Sequence, residues 1–534
     1  MRRVSSATAG PGPFSGVTDE GGVVFPLAGG RRSTSAAGRS VVADAVRDLD
    51  VGLAWRIEDE SDWRHGYLWA LRRLTQLEAG SPDAAVAVAR AGLASVRRRF
   101  RFRVDGTDLP LTAALSGAGA DGAGPGSGGS RPPALHTALV TGIDAPPPIA
   151  LEIPYRGDLL GGNALARRLD TWQGEGVAEP SFAEAVSAVM AHPEWLDLRD
   201  VAVVVLGAGA QLGPVASLAR WGAHIIAVDL PGYATWRRLI DIVRSSPGRM
   251  SVPVSRWLPS SATDDEIAAA AGADLVTGVG DLTTWLSAIP GPLVLGNYVY
   301  ADGAANVRAG VAADLLAETL VQSRDDVTLA YLATPTDVFA VPAEVVLDSR
   351  RRYAARVTTA HRLCRIGTGG TLFAPNYAGS PQRQGLVRSA DGRPLGIVDS
   401  LLSQQGPNYA LAKRIQRWRA LVARADGHRV SINVAPATRT RSVLRDQMLT
   451  AAYAGAHRFG IEVFDPPTAS ALMAVLLVHD LRRPDAAANP QTPLDTPVEL
   501  FWQGALHGGL WRGPFATRSV LGAAVVLGMV RRGG

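Results

Sequence analysis

The chain has one cysteine, Cys364, and one lysine, Lys413, among 534 residues. A single cysteine excludes an internal disulfide framework and a cysteine-based zinc site. No histidine pair has metal-ligand spacing either, so no metal is expected. Long apolar runs are also missing. The longest, ASALMAVLLV (469–478) and VLGAAVVLGMV (520–530), fit buried helices, although the second, followed by Arg531 and Arg532, could touch a membrane surface. The stretch MRRVSSATAGPGPFSGVTDE (1–20) lacks the apolar core of a secretory signal, so a cytoplasmic protein is expected. The net charge of +5 is spread over many arginines rather than gathered in a stripe, which argues against nucleic-acid binding.

Hydrophobic residues make up 47% of the sequence, enough for cores in two or three domains. Residues 1–40, rich in Gly, Ser, Thr and Pro, read as a disordered tail. Residues 41–194 read as a mainly helical N-terminal region, with Ser81 as an N-cap and a glycine-rich linker at 116–133. From 195 to 480, short Val/Ile-rich runs alternate with helical stretches, the signature of an α/β domain with a doubly wound parallel sheet. Strands are predicted at 201–206, 224–229, 250–254, 273–277, 292–297, 327–333 and 429–435. Residues 341–407 interrupt this pattern, long enough for a lid or small subdomain. Residues 481–534 form a C-terminal extension.

The strongest local signal is VAVVVLGAGAQLGPVASLARWGAHIIAVDLP (201–231). An apolar strand runs into Gly207, Gly209, Gln211, Leu212 and Gly213, a helix follows, and a second strand ends at Asp229 and Leu230. Glycines permit the tight turn and let backbone approach a pyrophosphate. The helix N-terminus offers free N–H groups to that phosphate. Asp229 stands 22 residues after Gly207, where an acid can hold a ribose 2′-hydroxyl. A carboxylate there repels a 2′-phosphate, so NAD is favoured over NADP, with Arg237 and Arg238 near enough to compensate. S-adenosylmethionine is the rival ligand, although Val205 and Leu206 stand where such transferases usually carry an acid.

Tyr409 and Lys413 are four residues apart and share a face if the segment is helical. An ammonium near a phenol favours the phenolate, so the pair suits general acid/base work on a carbonyl–alcohol interconversion. Arginine would serve less well, being wide, planar and never deprotonated.

With these residues in view, 201–440 resembles a divergent short-chain dehydrogenase/reductase. LGAGAQLG resembles that family's cofactor loop. ADLVTGVG (273–280), with Gly278, resembles the strand flanking the adenosine. ANVRAGVAADLLAETL (305–320) resembles the helix bearing the family's catalytic-site asparagine, here Asn306. VTLAYLATPT (327–336) resembles the strand ending at the catalytic serine, here Thr334, with Thr336 a competitor. YALAK supplies Tyr409 and Lys413, and HRVSINVAPATRT (428–440) places Pro436 near the nicotinamide. The resemblance implies a Rossmann-like NAD(P)-binding domain and an oxidoreductase. In it Tyr409 transfers a proton, Lys413 lowers the phenol pKa and holds the ribose, Thr334 polarises the carbonyl, and Asn306 holds a water that links Lys413 to solvent. Gln211 for a glycine, Ala437 for the glycine after Pro436, and the 341–407 insertion depart from the family.

Two other readings stay open: a nucleotide-binding protein without turnover, in sensing or assembly, and an S-adenosylmethionine-dependent transferase. The partner expected is a small-molecule substrate, apolar if GIEVFDPPTASALMAVLLV (460–478) lines its pocket. The chain could also form homo-oligomers. QGALHGGLWRGPF (503–515), with His507, reads as a substrate cap or a structural anchor. PYRGDLLGGN (154–163) offers Arg156 to an acidic group or serves as a plain turn.

Overall fold

The computed structural model describes residues 21–115, 134–377 and 386–530. Its centre is a seven-stranded sheet of β1 (His136–Thr141), β2 (Ala202–Leu206), β3 (His224–Val228), β4 (Arg249–Val254), β5 (Leu293–Asn297), β6 (Val327–Ala333) and β7 (Val430–Val434). Its order is β7-β6-β5-β2-β3-β4-β1. The six strands β2 to β7 are all parallel. Counted from β2, they follow the order 3-2-1-4-5-6, with a topological switch point between β2 and β5.

The near-continuous Val/Ile/Leu runs of these strands are explained by helices on both faces. Val204, Leu206, Ile226, Leu295 and Leu329 point to one layer, Val203, Val205, Ile225, Val294 and Ala330 to the other. The first layer holds helices α1 (Thr34–Arg47), α2 (Trp63–Glu78), α3 (Pro82–Arg99), α4 (Gly303–Ser323) and α6 (Gly406–Ala425). Helix α5 (Thr359–Gly367) lies in the insertion, and α7 (Gln447–Gly455) and α8 (Thr517–Val530) pair near the C-terminus. The second layer includes the helix Pro466–Arg482, whose Leu472, Val475 and Leu476 are buried.

Helix α6 is buried almost all round, because α1, α2 and α3 cover the side turned away from the sheet. Its polar residues there are paired. Arg414 bonds Glu78 of α2 (3.2 Å) and Asp337 (3.0 Å), and Arg417 bonds Asp337 (2.9 Å). Trp418 lies so close to α3 that a Cβ at Gly92 would come within 2.5 Å of its ring.

Several expectations change. The disordered tail expected at 1–40 is ordered from residue 21: Gly22–Val24 pairs with Arg101–Val104, and α1 starts at Thr34 behind the Ser33 cap. Val23 and Phe25 are fully buried, which supplies the apolar area that composition alone hid. Residues 1–20 and the linker 116–133 lie outside the described residues. The N-terminal region does not stand apart from 195–480, since β1 pairs antiparallel with β4 and α1–α3 pack on α6. No strand forms at 273–277: the Asp274 carboxylate accepts the Val276 N–H (2.8 Å) and closes a turn. The insertion folds around its own antiparallel sheet of Val338–Pro342, Pro394–Asp399 and Leu386–Arg388, with residues 378–385 outside the described set. The C-terminal extension carries Phe501, Ala505 and Trp511 into the main core.

Candidate functional site

Parallel strands end together, and their C-terminal edge gathers most of the residues singled out by sequence. Gly207 follows β2, Asp229 follows β3, Thr334 follows β6 and Pro436 follows β7. Gly207 has φ +79°, and a Cβ there would lie 3.0 Å from Val299 Cα, so only glycine fits between the β2 and β5 ends. Gly207 and Ala208 donate to the Val228 carbonyl (2.8 and 3.1 Å). A Cβ at Gly209 would fall 2.6 Å from Thr235 and 2.9 Å from Asp229.

Asp229 is drawn inward. Its carboxylate accepts the N–H of Gly209 (2.6 Å) and of Leu230 (2.8 Å). Arg238 donates to the Gly209 carbonyl (3.0 Å). Gln211 accepts the Arg441 N–H (2.7 Å), tying the glycine turn to the segment beyond β7. Leu212 packs half-buried on the second layer, and the Gly213 carbonyl accepts from Ser470 (2.8 Å). The helix expected after Gly213 is only Val215–Arg220, capped by Pro214, which has no N–H. It offers an anion fewer donors than the sequence pattern implied. Leu230 is exposed beside Asp229. Gly278 ends the turn in place of a strand and caps the helix Val279–Ser287, though Ala273 still donates to the Asp229 carbonyl (2.9 Å).

The second cluster forms where α6 crosses the end of β6. The described strands of the insertion pair in the side sheet before α6 begins at Gly406, and Thr334 meets Tyr409. Burial pushes the Tyr409 phenol well above its ordinary value, and a hydrogen bond from Thr334 works the other way. The phenol is thus raised, contrary to the lowering expected from Lys413. Burial is the main reason; the lysine itself is engaged elsewhere, its ammonium donating to the Leu332 carbonyl (3.0 Å) and to Gln416 (3.2 Å). Burial brings Lys413 down to about 8, with Asp337 opposing.

Thr336 joins Thr334 instead of competing with it. The two hydroxyls are 2.9 Å apart, and Gln405 donates to Thr336 (2.6 Å). Asn306 is buried in the first turn of α4, and its side-chain oxygen accepts the Ala301 N–H (3.2 Å). It holds the 298–302 loop and makes no hydrogen bond with Lys413 among the described residues. Pro436 is buried where β6 and β7 stay paired through Ala435 and Ala333 (3.0 Å), and its carbonyl accepts from Thr438 (2.8 Å).

The sequence did not reveal Tyr300 or Tyr453. The Tyr300 ring meets Tyr409 edge-on at 6.3 Å, and Tyr453 adjoins both. Tyr300 sits just beyond a strand end, the position where ligands bind in such sheets, and that rule could have found it. Tyr453 also stands in the wall of a cavity of about 820 Å³, with Tyr155, Arg156, Arg439, Glu462 and Phe464. Glu462 is held there by Tyr155 (2.7 Å), Trp172 (2.9 Å) and Arg156 (3.2 Å). His507, by contrast, is fully buried and paired with Glu179 (3.0 Å) as part of an anchor that Arg512 completes (2.6 Å). Among the described residues no cluster of three or more His, Cys, Asp or Glu could hold a metal, and no helix is long and apolar enough to cross a membrane.

No family model and no curated protein matches the chain. Among solved structures, it is similar to a thiolation-reductase di-domain from an archaeal non-ribosomal peptide synthetase. That likeness has a TM-score of 0.26 and 10% identity, over 80% of this chain and 70% of the other. A likeness of that size carries no argument.

Proposed function

We propose that the chain is an NAD(P)-dependent oxidoreductase of the short-chain dehydrogenase/reductase kind, with a Rossmann-like sheet, acting on a carbonyl/alcohol pair. One observation carries this reading. Thr334 and Tyr409, 75 positions apart, meet on the C-terminal edge of a 3-2-1-4-5-6 sheet whose first strand ends in a glycine turn with an acid beside it.

The turn fits a dinucleotide. Gly207 and Gly209 pack so closely against Val299, Thr235 and Asp229 that no Cβ fits, which gives the tight glycine turn a dinucleotide loop needs. Asp229 would hold the ribose, and exposed Leu230 would flank the adenine. A carboxylate at that point favours NAD, while Arg238 stands close enough to meet a 2′-phosphate. The bound nicotinamide supplies the hydride chemistry. Tyr409 carries the proton. Its raised pKa keeps the phenol protonated at neutral pH, which suits donation to a carbonyl oxygen and hence reduction. Thr334 orients that oxygen from the strand end. Lys413, still charged at pH 7, favours the phenolate as the proton leaves.

A second reading, nucleotide binding without turnover, is favoured by the Gly209 N–H already given to Asp229 and by Gln211 bound to Arg441. Calorimetry with NAD(H), NADP(H) and S-adenosylmethionine, followed by Tyr409→Phe, separates the readings. The oxidoreductase reading expects dinucleotide binding that survives in Tyr409→Phe and turnover that does not. Binding with no turnover of any carbonyl by the parent chain supports the second. Binding of S-adenosylmethionine alone overturns both.

A further inference from the structure

Helix α8 is apolar on two sides. Val520, Ala524 and Val525 are buried, while Val526, Leu527, Met529 and Val530 are 45–72% exposed. A helix apolar all round belongs inside a protein or against another apolar phase, yet nothing among the described residues covers this outer stripe. Its partner α7 runs antiparallel: Cβ atoms at Gly455 and Gly528 would strike Ala524 and Ala451. Met448, one turn before Ala451, is therefore at the same end as Met529 and Val530, and it is 63% exposed. Leu444, 51% exposed, lies in the short helix Arg441–Arg445 that precedes α7, flanked by Arg441 and Arg445. Helix α5 joins the same layer through His361, whose ring meets Phe373 and, edge-on, Phe515 (4.5 and 5.4 Å), and it exposes Leu363 and Ile366 beside Arg362 and Arg365.

Charge on this layer is mainly positive, with Arg439 paired to Asp465 and Arg518 to Asp399. Residues 356–377, 438–461 and 513–530 contain eight arginines and one acid, Asp446. That acid is spent capping α7 at the Met448 and Leu449 N–H groups. Exposed aliphatic side chains ringed by arginine match the boundary of a negatively charged bilayer, where apolar groups enter the acyl region and cations meet headgroups. The cavity lies directly behind. Leu444, Gly528 and Tyr453 all line it, and Tyr453 is near Tyr300 and Tyr409.

We propose that the α5–α7–α8 layer docks on an anionic bilayer, and that the cavity behind it takes an amphiphilic alcohol or carbonyl compound from that bilayer. The second clause rests on the oxidoreductase reading; the docking does not.

Flotation of the full chain with vesicles tests it, using phosphatidylcholine alone and phosphatidylcholine mixed with phosphatidylglycerol. The chain should float with the mixed vesicles and far less with the neutral ones, and added salt should weaken the association. Met448→Glu with Val530→Glu should abolish flotation while leaving the thermal melt unchanged. Arg441→Gln with Arg445→Gln should weaken it about thirtyfold. A pyrene-labelled long-chain alcohol should bind saturably, and Ile461→Arg in the cavity wall should stop that without changing flotation. The docking is overturned if the parent chain stays off anionic vesicles or if the Glu pair floats like the parent. It is equally overturned if the chain is a dimer that the Glu pair splits, for then the face is a self-interface. Absence of saturable alcohol binding overturns the cavity assignment. A chain that floats and binds the alcohol but binds no dinucleotide would refute the oxidoreductase reading instead.

Discussion

Replacing Asp337 with alanine should cost the chain about 3–5 kcal/mol. Asp337 is 1% exposed and joins two arginines that are themselves 0% and 2% exposed. With Glu78 it forms a group of two carboxylates and two guanidinium ions, neutral as a whole. Without Asp337, Arg414 retains Glu78 at 3.2 Å. Arg417 keeps only the Val338 carbonyl (2.8 Å) and the faces of Phe339 and Phe501 (4.2 and 4.5 Å). One positive charge is left buried and unpaired, and that desolvation sets the magnitude. Urea unfolding followed by tryptophan fluorescence measures it. Pairing Asp337→Ala with Arg417→Met removes the orphan charge and should restore about 2 kcal/mol or more. The exposed pair Arg90–Asp426 is the control, and breaking it should cost no more than about 1 kcal/mol. A loss below about 1 kcal/mol for Asp337→Ala, or no recovery in the double variant, would refute the reasoning. The pH dependence has a fixed sign. Burial alone would raise the Asp337 carboxyl, but Arg414 and Arg417 outweigh it and hold it below its ordinary 3.8. Its contribution is present above that value and lost as pH falls through the lower native one.

Other outcomes can be measured directly. Lys413 gives a chain labelled with ε-¹⁵N-lysine one side-chain resonance, which should titrate near 8 rather than near 10.5; a value above 10 would contradict its burial. Gly207→Ala should lower stability by about 1–3 kcal/mol in urea unfolding and weaken dinucleotide binding in calorimetry, because φ +79° and Val299 leave no room for a methyl group. Burial lowers the His507 pKa despite Glu179, so a penalty should grow as pH falls below about 6.5, where the unfolded imidazole takes a proton first. Thermal melts between pH 7 and 5 should show this slope, flattened in His507→Gln.

Six parallel strands were readable because each is a short, Val-bearing run buried on both sides. The seventh expected strand, at 273–277, failed on one side chain, since Asp274 found a local N–H before a neighbouring strand could. Strand β1 was missed for the opposite reason: HTALVT alternates exposed and buried residues, as an edge strand does, and sits among Pro-rich segments. In the site, residues at strand ends could be read from spacing, because a parallel sheet delivers all its C-termini to one edge. Tyr453 and Gln405 could not, since their meeting depends on how α6, α7 and the side sheet close over that edge. The raised Tyr409 phenol was equally hidden. Four-residue spacing says that a tyrosine and a lysine share a helix face, but not that both will be buried there.

The bond between Glu78 and Arg414 spans 336 positions of sequence. On a ribosome adding about 5–20 residues per second, α2 waits roughly 20–70 s for the helix it must grip. During that time Tyr67, Leu71, Leu74 and Glu78, all buried in the finished protein, have no partner from α6. Contacts this distant slow folding. Newly made N-terminal halves of this chain should therefore be clients of holdase chaperones, and expression should yield more native protein when synthesis is slow and the chaperones are abundant.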